Sequence, residues 1–164
     1  MLGGNNLQFI KSQSADNVSS LTVNNIFSAD YDIYEVIVIG NGSQNVSSLS
    51  AEFVDSGGND IGQGAYDTAI HRLHYNQAFD DVRTTGANSF EFAFTSHVDH
   101  DFATKLTVFN PFSSSKFTYA NMQSSSQSAE KNIVFCGVTT SATGMKFLAN
   151  QNFTPIHVNV YGVK

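Results

Sequence analysis

The chain has 164 residues, with 8 Lys or Arg against 14 Asp or Glu, so its net charge is −6 and only 13% of its residues are charged. Ser, Thr and Asn together supply 48 residues, Phe 14, Tyr 6 and Pro only 2. This composition excludes a disordered chain, a coiled coil and a collagen-like chain, and the length fits one domain.

Short segments of alternating apolar and polar residues recur along the chain, separated by clusters of Gly, Asn, Asp and Ser. No window of eleven or more residues carries apolar residues at helical spacing. We therefore predict an all-β fold, a jelly-roll-like antiparallel β-sandwich of about nine or ten strands in one domain, 1–164. The predicted strands are 7–12, 18–27, 31–39, 48–54, 66–75, 90–95, 102–109, 116–122, 131–138 and 155–163.

Three of these segments carry a clear facial pattern. The segment 31–39 is apolar on both faces, which is typical of a strand in the middle of a sheet between two layers. Phe90, Phe92 and Phe94 share one face of their strand, and in 155–163 the residues Ile156, Val158 and Val160 point one way. The segments 1–6, 80–88 and 123–130 are predicted to be loose or mobile.

Several classes of function are disfavoured by what the sequence lacks. It has only two arginines and no basic run, so we expect no nucleic-acid partner. Its longest apolar stretch, 33–39, is far shorter than the ~20 residues of a membrane helix, so we expect no membrane partner. The N-terminus does not resemble a secretory signal, and the single Cys136 sits in an apolar segment as an inert core thiol.

The most site-like cluster is His97-Val-Asp-His-Asp101. His97, Asp99 and Asp101 would face one side of an extended chain, where imidazole and carboxylate groups could ligate a divalent metal. The favoured interpretation is a polar turn between two strands. We predict no cofactor.

Other polar clusters have plainer explanations. His71 and His74 lie three apart and so on opposite faces of a strand, which indicates surface or interface residues. The segment 55–60 offers oxygen ligands of the kind calcium uses but is predicted to be a hairpin turn, and Asp30 and Asp32 precede a strand as turn residues. No nucleophile elbow, P-loop or dinucleotide-binding fingerprint occurs, and we predict that the protein is not an enzyme.

Three stretches carry a family resemblance: Tyr31-x-x-Tyr34 before an apolar strand, a strand ending in Asn110-Pro111, and the C-terminal Tyr161-Gly162-Val163. In that order they resemble a family of small virion structural proteins of tailed bacteriophages, labelled as tail, fibre or structural proteins. The resemblance runs from about residue 18 to the end. It implies a jelly-roll sandwich that trimerises, assembles in the host cytoplasm and works in the virion.

Two main functions are therefore expected. The first is a non-enzymatic virion component, in the tail, baseplate or fibre or on the capsid surface, that forms a homotrimer and contacts other virion proteins. Exposed aromatic residues mark its interface, for which we select Tyr75, Phe79 and Phe112. The alternative is a carbohydrate- or receptor-binding module at a fibre tip, with host surface glycans as partners. A glycan hydrolase or esterase is a third, disfavoured hypothesis.

Overall fold

The computed structural model describes residues 6–42, 49–74, 78–93, 101–126 and 128–164. Within these ranges every regular element is a β-strand, every strand pairing is antiparallel, and no helix has the length and apolarity that crossing a bilayer requires. The strands are β1 (Leu7–Ala15), β2 (Val18–Val23), β3 (Ile33–Gly42), β4 (Leu49–Val54), β5 (Asp60–Ile61), β6 (Tyr66–His74), β7 (Asp80–Ala87), β8 (Phe90–Ala93), β9 (Asp101–Phe109), β10 (Thr118–Ser125), β11 (Ser128–Cys136) and β12 (Gly144–Val163).

Strand β12 belongs to both layers of the fold. Its first half, from Gly144 to Ala149, pairs with β4 and β2, and its second half, from Ile156 to Val163, pairs with β3 and β1. The larger layer runs β1-β12-β3-β9-β10-β11-β6-β7, and the smaller layer holds β2, β12, β4, β5 and β8. Strand β8 lies against β6, β9, β10 and β11 across the core. The predicted jelly-roll-like antiparallel sandwich is confirmed.

Aromatic side chains fill the space between the two layers. Phe90 and Phe92 of the predicted apolar face are both buried, while Phe94 lies outside the described residues. Phe92 contacts Phe102 and Phe147, with ring centroids 5.8 and 5.5 Å apart and near-perpendicular ring planes. Each fully buried ring stabilises the fold by about 1.5–3 kcal/mol, so the core does not depend on disulfides.

Two buried tyrosines form hydrogen bonds with backbone N–H and carbonyl groups that have no partner in the strand pairing. The Tyr66 hydroxyl accepts a hydrogen bond from the Phe53 N–H at 2.9 Å and donates one to the Ile61 carbonyl at 2.7 Å. The Tyr34 hydroxyl does the same with the N–H and carbonyl of Ser28, at 2.8 and 2.9 Å. Both phenols therefore bury their rings without leaving an unpaired polar atom.

The three stretches behind the family resemblance meet in the fold. The Tyr31 ring lies so close to Gly162 that a Cβ there would stand 2.6 Å from the ring, so the glycine is required by packing. Asn110 adopts the left-handed conformation, with φ of 54°, and its N–H donates to the Asp32 carbonyl at 2.7 Å. The Pro111 carbonyl accepts from a backbone N–H near the start of β12 at 2.8 Å. These motifs have structural roles at one corner of the sandwich.

Two segments predicted as mobile are strands instead. The segment 80–88 contains β7, which pairs with β6 at the edge of the larger layer, and 123–130 contains the end of β10 and the start of β11. The prediction for 80–88 was wrong because its Asp, Arg, Thr and Gly residues are typical of loops. Exposed charged residues are, however, also common on edge strands such as β7. The first half of β12 was also missed, because Pro155 was taken as the beginning of its strand.

The apolar strand 31–39 lies in the middle of the sheet as predicted, but only one of its faces is covered. As part of β3, it buries Tyr34, Val36 and Val38 completely. On the other face Ile39 is 47% exposed, and no second layer covers it among the described residues. The outward face of β3 therefore presents an apolar side chain to the surface in the middle of the sheet.

Candidate functional site

The outward face of the larger layer carries the candidate site. From β12 to β6 the strands pair without a shift in register once β12 has passed Ile156. Side chains therefore line up in rows across the sheet, because directly paired residues of antiparallel strands point to the same side. One row contains, in order from β12 to β7, Asn159, Ile37, Lys105, Gln123, Lys131, His71 and Asp81.

Four adjoining depressions follow this face, and we call them together the trough. One depression at the β12 end shares Ile39 and Ala103 with the next, which in turn shares Lys105 and Gln123 with a third. The third has a volume of about 450 Å³ and shares its Lys131 and Ile133 with the fourth, at the β7 end. The trough crosses seven strands, so it is roughly 29 Å long at ~4.8 Å per strand spacing.

The trough combines apolar patches with polar groups of several kinds. Ile133 is 58% exposed, and the amides of Asn121 and Gln123 lie one strand away. Near the middle of the face the Lys105 ammonium is held 2.6 Å from a carboxylate oxygen of Glu35. Amide side chains donate and accept hydrogen bonds at once, so the middle of the trough can satisfy hydroxyl groups in either role.

An aromatic ledge borders the trough near the β9–β10 turn. It consists of Phe117, Tyr119 and Phe135, and the Phe135 ring lies 5.1 Å from that of Phe117 and 5.3 Å from that of Tyr119. Phe117 and Tyr119 are each more than two-fifths exposed. Exposed, mutually braced rings present a flat apolar platform to a ligand at low entropic cost.

The residues selected from the sequence are scattered over the fold. His97, Asp99 and Tyr75 lie outside the described residues. Asp101 begins β9 at one end of the trough, where a carboxylate oxygen accepts a hydrogen bond from the Asn41 amide at 3.3 Å. Among the described residues no three His, Cys, Asp or Glu side chains gather as a metal site would require, and the expected polar turn at 97–101 stays a prediction because most of it lies outside those residues.

The two described interface candidates lie at separate places. Phe79 is 68% exposed and packs edge-on against His71, at the β7 end of the trough. Phe112 is 36% exposed and lies in the turn after β9. Among the described residues both have the exposed aromatic character that was predicted, and their role as an interface stays a prediction.

Sequence reasoning missed the trough itself. Its polar residues occupy alternate positions of β9, β10 and β11, and the even-numbered residues of β9 and β10 are buried in the same alternation. That alternation could have identified the outward residues Lys105, Asn121 and Gln123. It could not have shown that Lys131 and His71, sixty positions apart, are directly paired.

Two close carboxylates do occur in the structure, away from the trough. Glu52 of β4 and Asp60 of β5 share the Lys146 ammonium of β12, which lies 3.5 Å from Glu52 Oε2 and 3.3 Å from Asp60 Oδ2. Glu52 is only 7% exposed. Burial, together with the hydrogen bond and negative charge of Asp60, raises the pKa of Glu52 to about 7. The cluster links β4, β5 and β12, which gives it a structural role.

Comparison with known proteins gives no family. No protein-family model matches the chain, and no curated protein matches its sequence. Among solved structures, the alginate lyase Aly36B matches with a TM-score of 0.41 and 10% identity, over 93% of this chain and 80% of that one. The galectin LEC-6 of Caenorhabditis elegans matches with a TM-score of 0.36 and 9% identity, over 88% and 94%.

An exo-inulinase from Aspergillus awamori also matches, with a TM-score of 0.39 and 11% identity, over 96% of this chain but 29% of the enzyme. TM-scores below 0.5 at such identities carry no inference about ligand or activity. The class of the protein rests on its own strands, which define an all-β jelly-roll-like sandwich.

The buried cluster predicts a pH dependence of stability that Glu52 controls. Its pKa is about 7 in the folded chain and near 4.5 in the unfolded one, so the stability it contributes is full below pH 4.5 and is lost as the pH rises through 7. Relative to Glu52→Gln, the free energy of unfolding of the wild type should fall by on the order of 1–3 kcal/mol between pH 4.5 and 8. Urea denaturation at several pH values measures the difference, and parallel profiles for the two proteins would contradict it.

Proposed function

We propose that the protein is a non-enzymatic carbohydrate-binding module that holds an extended glycan in the trough. The observation that carries this proposal is the trough itself, an uncovered sheet face on which exposed isoleucines alternate with amide and charged side chains.

The chemistry of the trough suits a sugar chain. A pyranose ring has an apolar C–H face and a rim of hydroxyl groups, so its binding site needs apolar contact beside groups that both donate and accept hydrogen bonds. Ile133 and the aromatic ledge offer the apolar contact, and Asn121 and Gln123 offer the hydrogen bonds. The length of about 29 Å allows several sugar units to bind in a row.

The non-enzymatic part of the proposal is supported by where the acid and base groups lie. Glu52, which is buried, and Asp60, which is partly exposed, are bridged by Lys146 in the smaller layer, outside the lining of the trough. On the trough, His71 Nδ1 lies 2.6 Å from Asp81 Oδ1, but this pair stands on an open surface, 51% and 84% exposed. General acid–base catalysis relies on groups held away from bulk water, which shifts their pKa values.

We further propose that this binding takes place on a bacteriophage particle, where host surface glycans are the ligands and copies of the chain assemble with other virion proteins. The stretches around Tyr31, Asn110 and Gly162 resemble those of bacteriophage virion proteins, and this resemblance supports a place on a phage particle. The exposed Phe79 and Phe112 support contacts between copies.

A homotrimer would have a mass near three times 17.8 kDa by light scattering, whereas 17.8 kDa at every concentration would contradict self-assembly of the chain alone.

A glycan array tests the binding function directly. The wild-type chain should bind a restricted set of extended glycans, and Gln123→Trp should lose that binding at least tenfold, because an indole at the centre of the row blocks the trough. Trp is favoured in strands and position 123 is exposed, so the fold should tolerate the change.

The matched control is Ser19→Trp, which places the same side chain at an exposed position of β2 in the smaller layer. It should bind as the wild type does. An array without specific binding by the wild type, or equal binding by Gln123→Trp, would show that the trough is not a glycan site.

A further inference from the structure

The depression at the β7 end of the trough is lined by two cations, Lys131 and Arg83, that have no carboxylate partner among the described residues. It has a volume of about 370 Å³ and lies over β11, β6 and β7. Its floor is apolar, because Ile133 and Ala69 are directly paired neighbours that both point outward. Lys131 stands on one side of this floor and Arg83 on the other, one strand beyond Ala69. We call this depression the cationic pocket.

The two cations of the pocket lack the compensation that the other charges on this face have. Lys105 is paired with Glu35 at 2.6 Å, and His71 is paired with Asp81 at the same distance. Lys131 and Arg83 are both exposed, and neither has a carboxylate within 4.0 Å among the residues that the structure describes. Asp81 also lines the depression, but its carboxylate is held 2.6 Å from His71 Nδ1. In a chain with a net charge of −6, the two cations that no carboxylate pairs with over one apolar floor form a local site for an anion.

Their chemistry favours a carboxylate. The planar guanidinium of Arg83 matches a carboxylate in a paired, two-hydrogen-bond geometry, and the Lys131 ammonium adds a point charge from the opposite side. A sugar ring whose apolar face rests on Ile133 and Ala69 would place a carboxylate at its edge within reach of Arg83 or Lys131.

We propose that the cationic pocket selects a carboxylate-bearing sugar, so that the ligand of the trough is an acidic polysaccharide. This rests on the proposed function, since it names the class of glycan that the same trough binds. A neutral sugar would offer the two cations only hydroxyl acceptors, whereas a carboxylate forms the stronger charge-assisted hydrogen bonds with them.

The test compares two polysaccharides with the same backbone, polygalacturonate and its fully methyl-esterified form, by isothermal titration calorimetry on the full chain. The wild type should bind the acidic polymer at least tenfold more tightly than the ester, and added salt should reduce this preference. The double variant Lys131→Gln/Arg83→Gln should lose the preference.

The control is the double variant Lys116→Gln/Lys164→Gln, which removes the same two positive charges from exposed lysines that do not line the trough. It should keep the preference, and circular dichroism should show the same strand content for all variants. Equal loss in this control would mean general charge attraction and would overturn the proposal.

The two proposals fail in different ways. If the wild type binds the acidic polymer and its ester equally, or binds only neutral glycans on the array, the selection of carboxylates is wrong while the binding function stands. If it binds neither polymer and the array shows no specific glycan, the binding function itself is wrong.

Discussion

The unbroken register from β12 to β6 in the larger layer is the constraint on which the other features of the protein depend. From β12 through β3, β9, β10 and β11 to β6, each strand pairs with the next without a bulge beyond Ile156. A shift of one residue in any pairing would turn a whole strand over and exchange its buried and outward residues. The same hydrogen bonds therefore fix the aromatic core on one face and the trough on the other.

The two faces of β9 show how much rests on this register. Phe102, Leu106 and Val108 point inward and are fully or almost fully buried. Lys105, between them, points outward to its ion pair with Glu35. Because the core has a strong preference for one orientation, the polar row is held in place at no separate cost in stability. The outward residues of the trough are thus placed by the burial of the residues on the opposite face of the sheet.

The sequence allowed the fold to be predicted because alternation is a local signal. The core positions of β8 and the inward row Ile156, Val158 and Val160 were correctly assigned from spacing alone. The strand β7 was not, because its charged and small residues resemble a loop until β6 is there to pair with them. The most site-like cluster in the sequence was 97–101, where polar residues are adjacent along the chain. The trough instead unites residues from seven strands, and strand order is not a local property.

A glycan bound along the row from Lys105 to His71 would change the surroundings of those residues, and mapping the bound surface shows whether it does. Backbone amide shifts of the ¹⁵N-labelled chain should be recorded during titration with short oligogalacturonates. We expect the largest changes on Lys105, Gln123, Lys131 and Ile133, and little change in β2, β4 and β5. Changes concentrated in the smaller layer, or spread evenly over the surface, would contradict it.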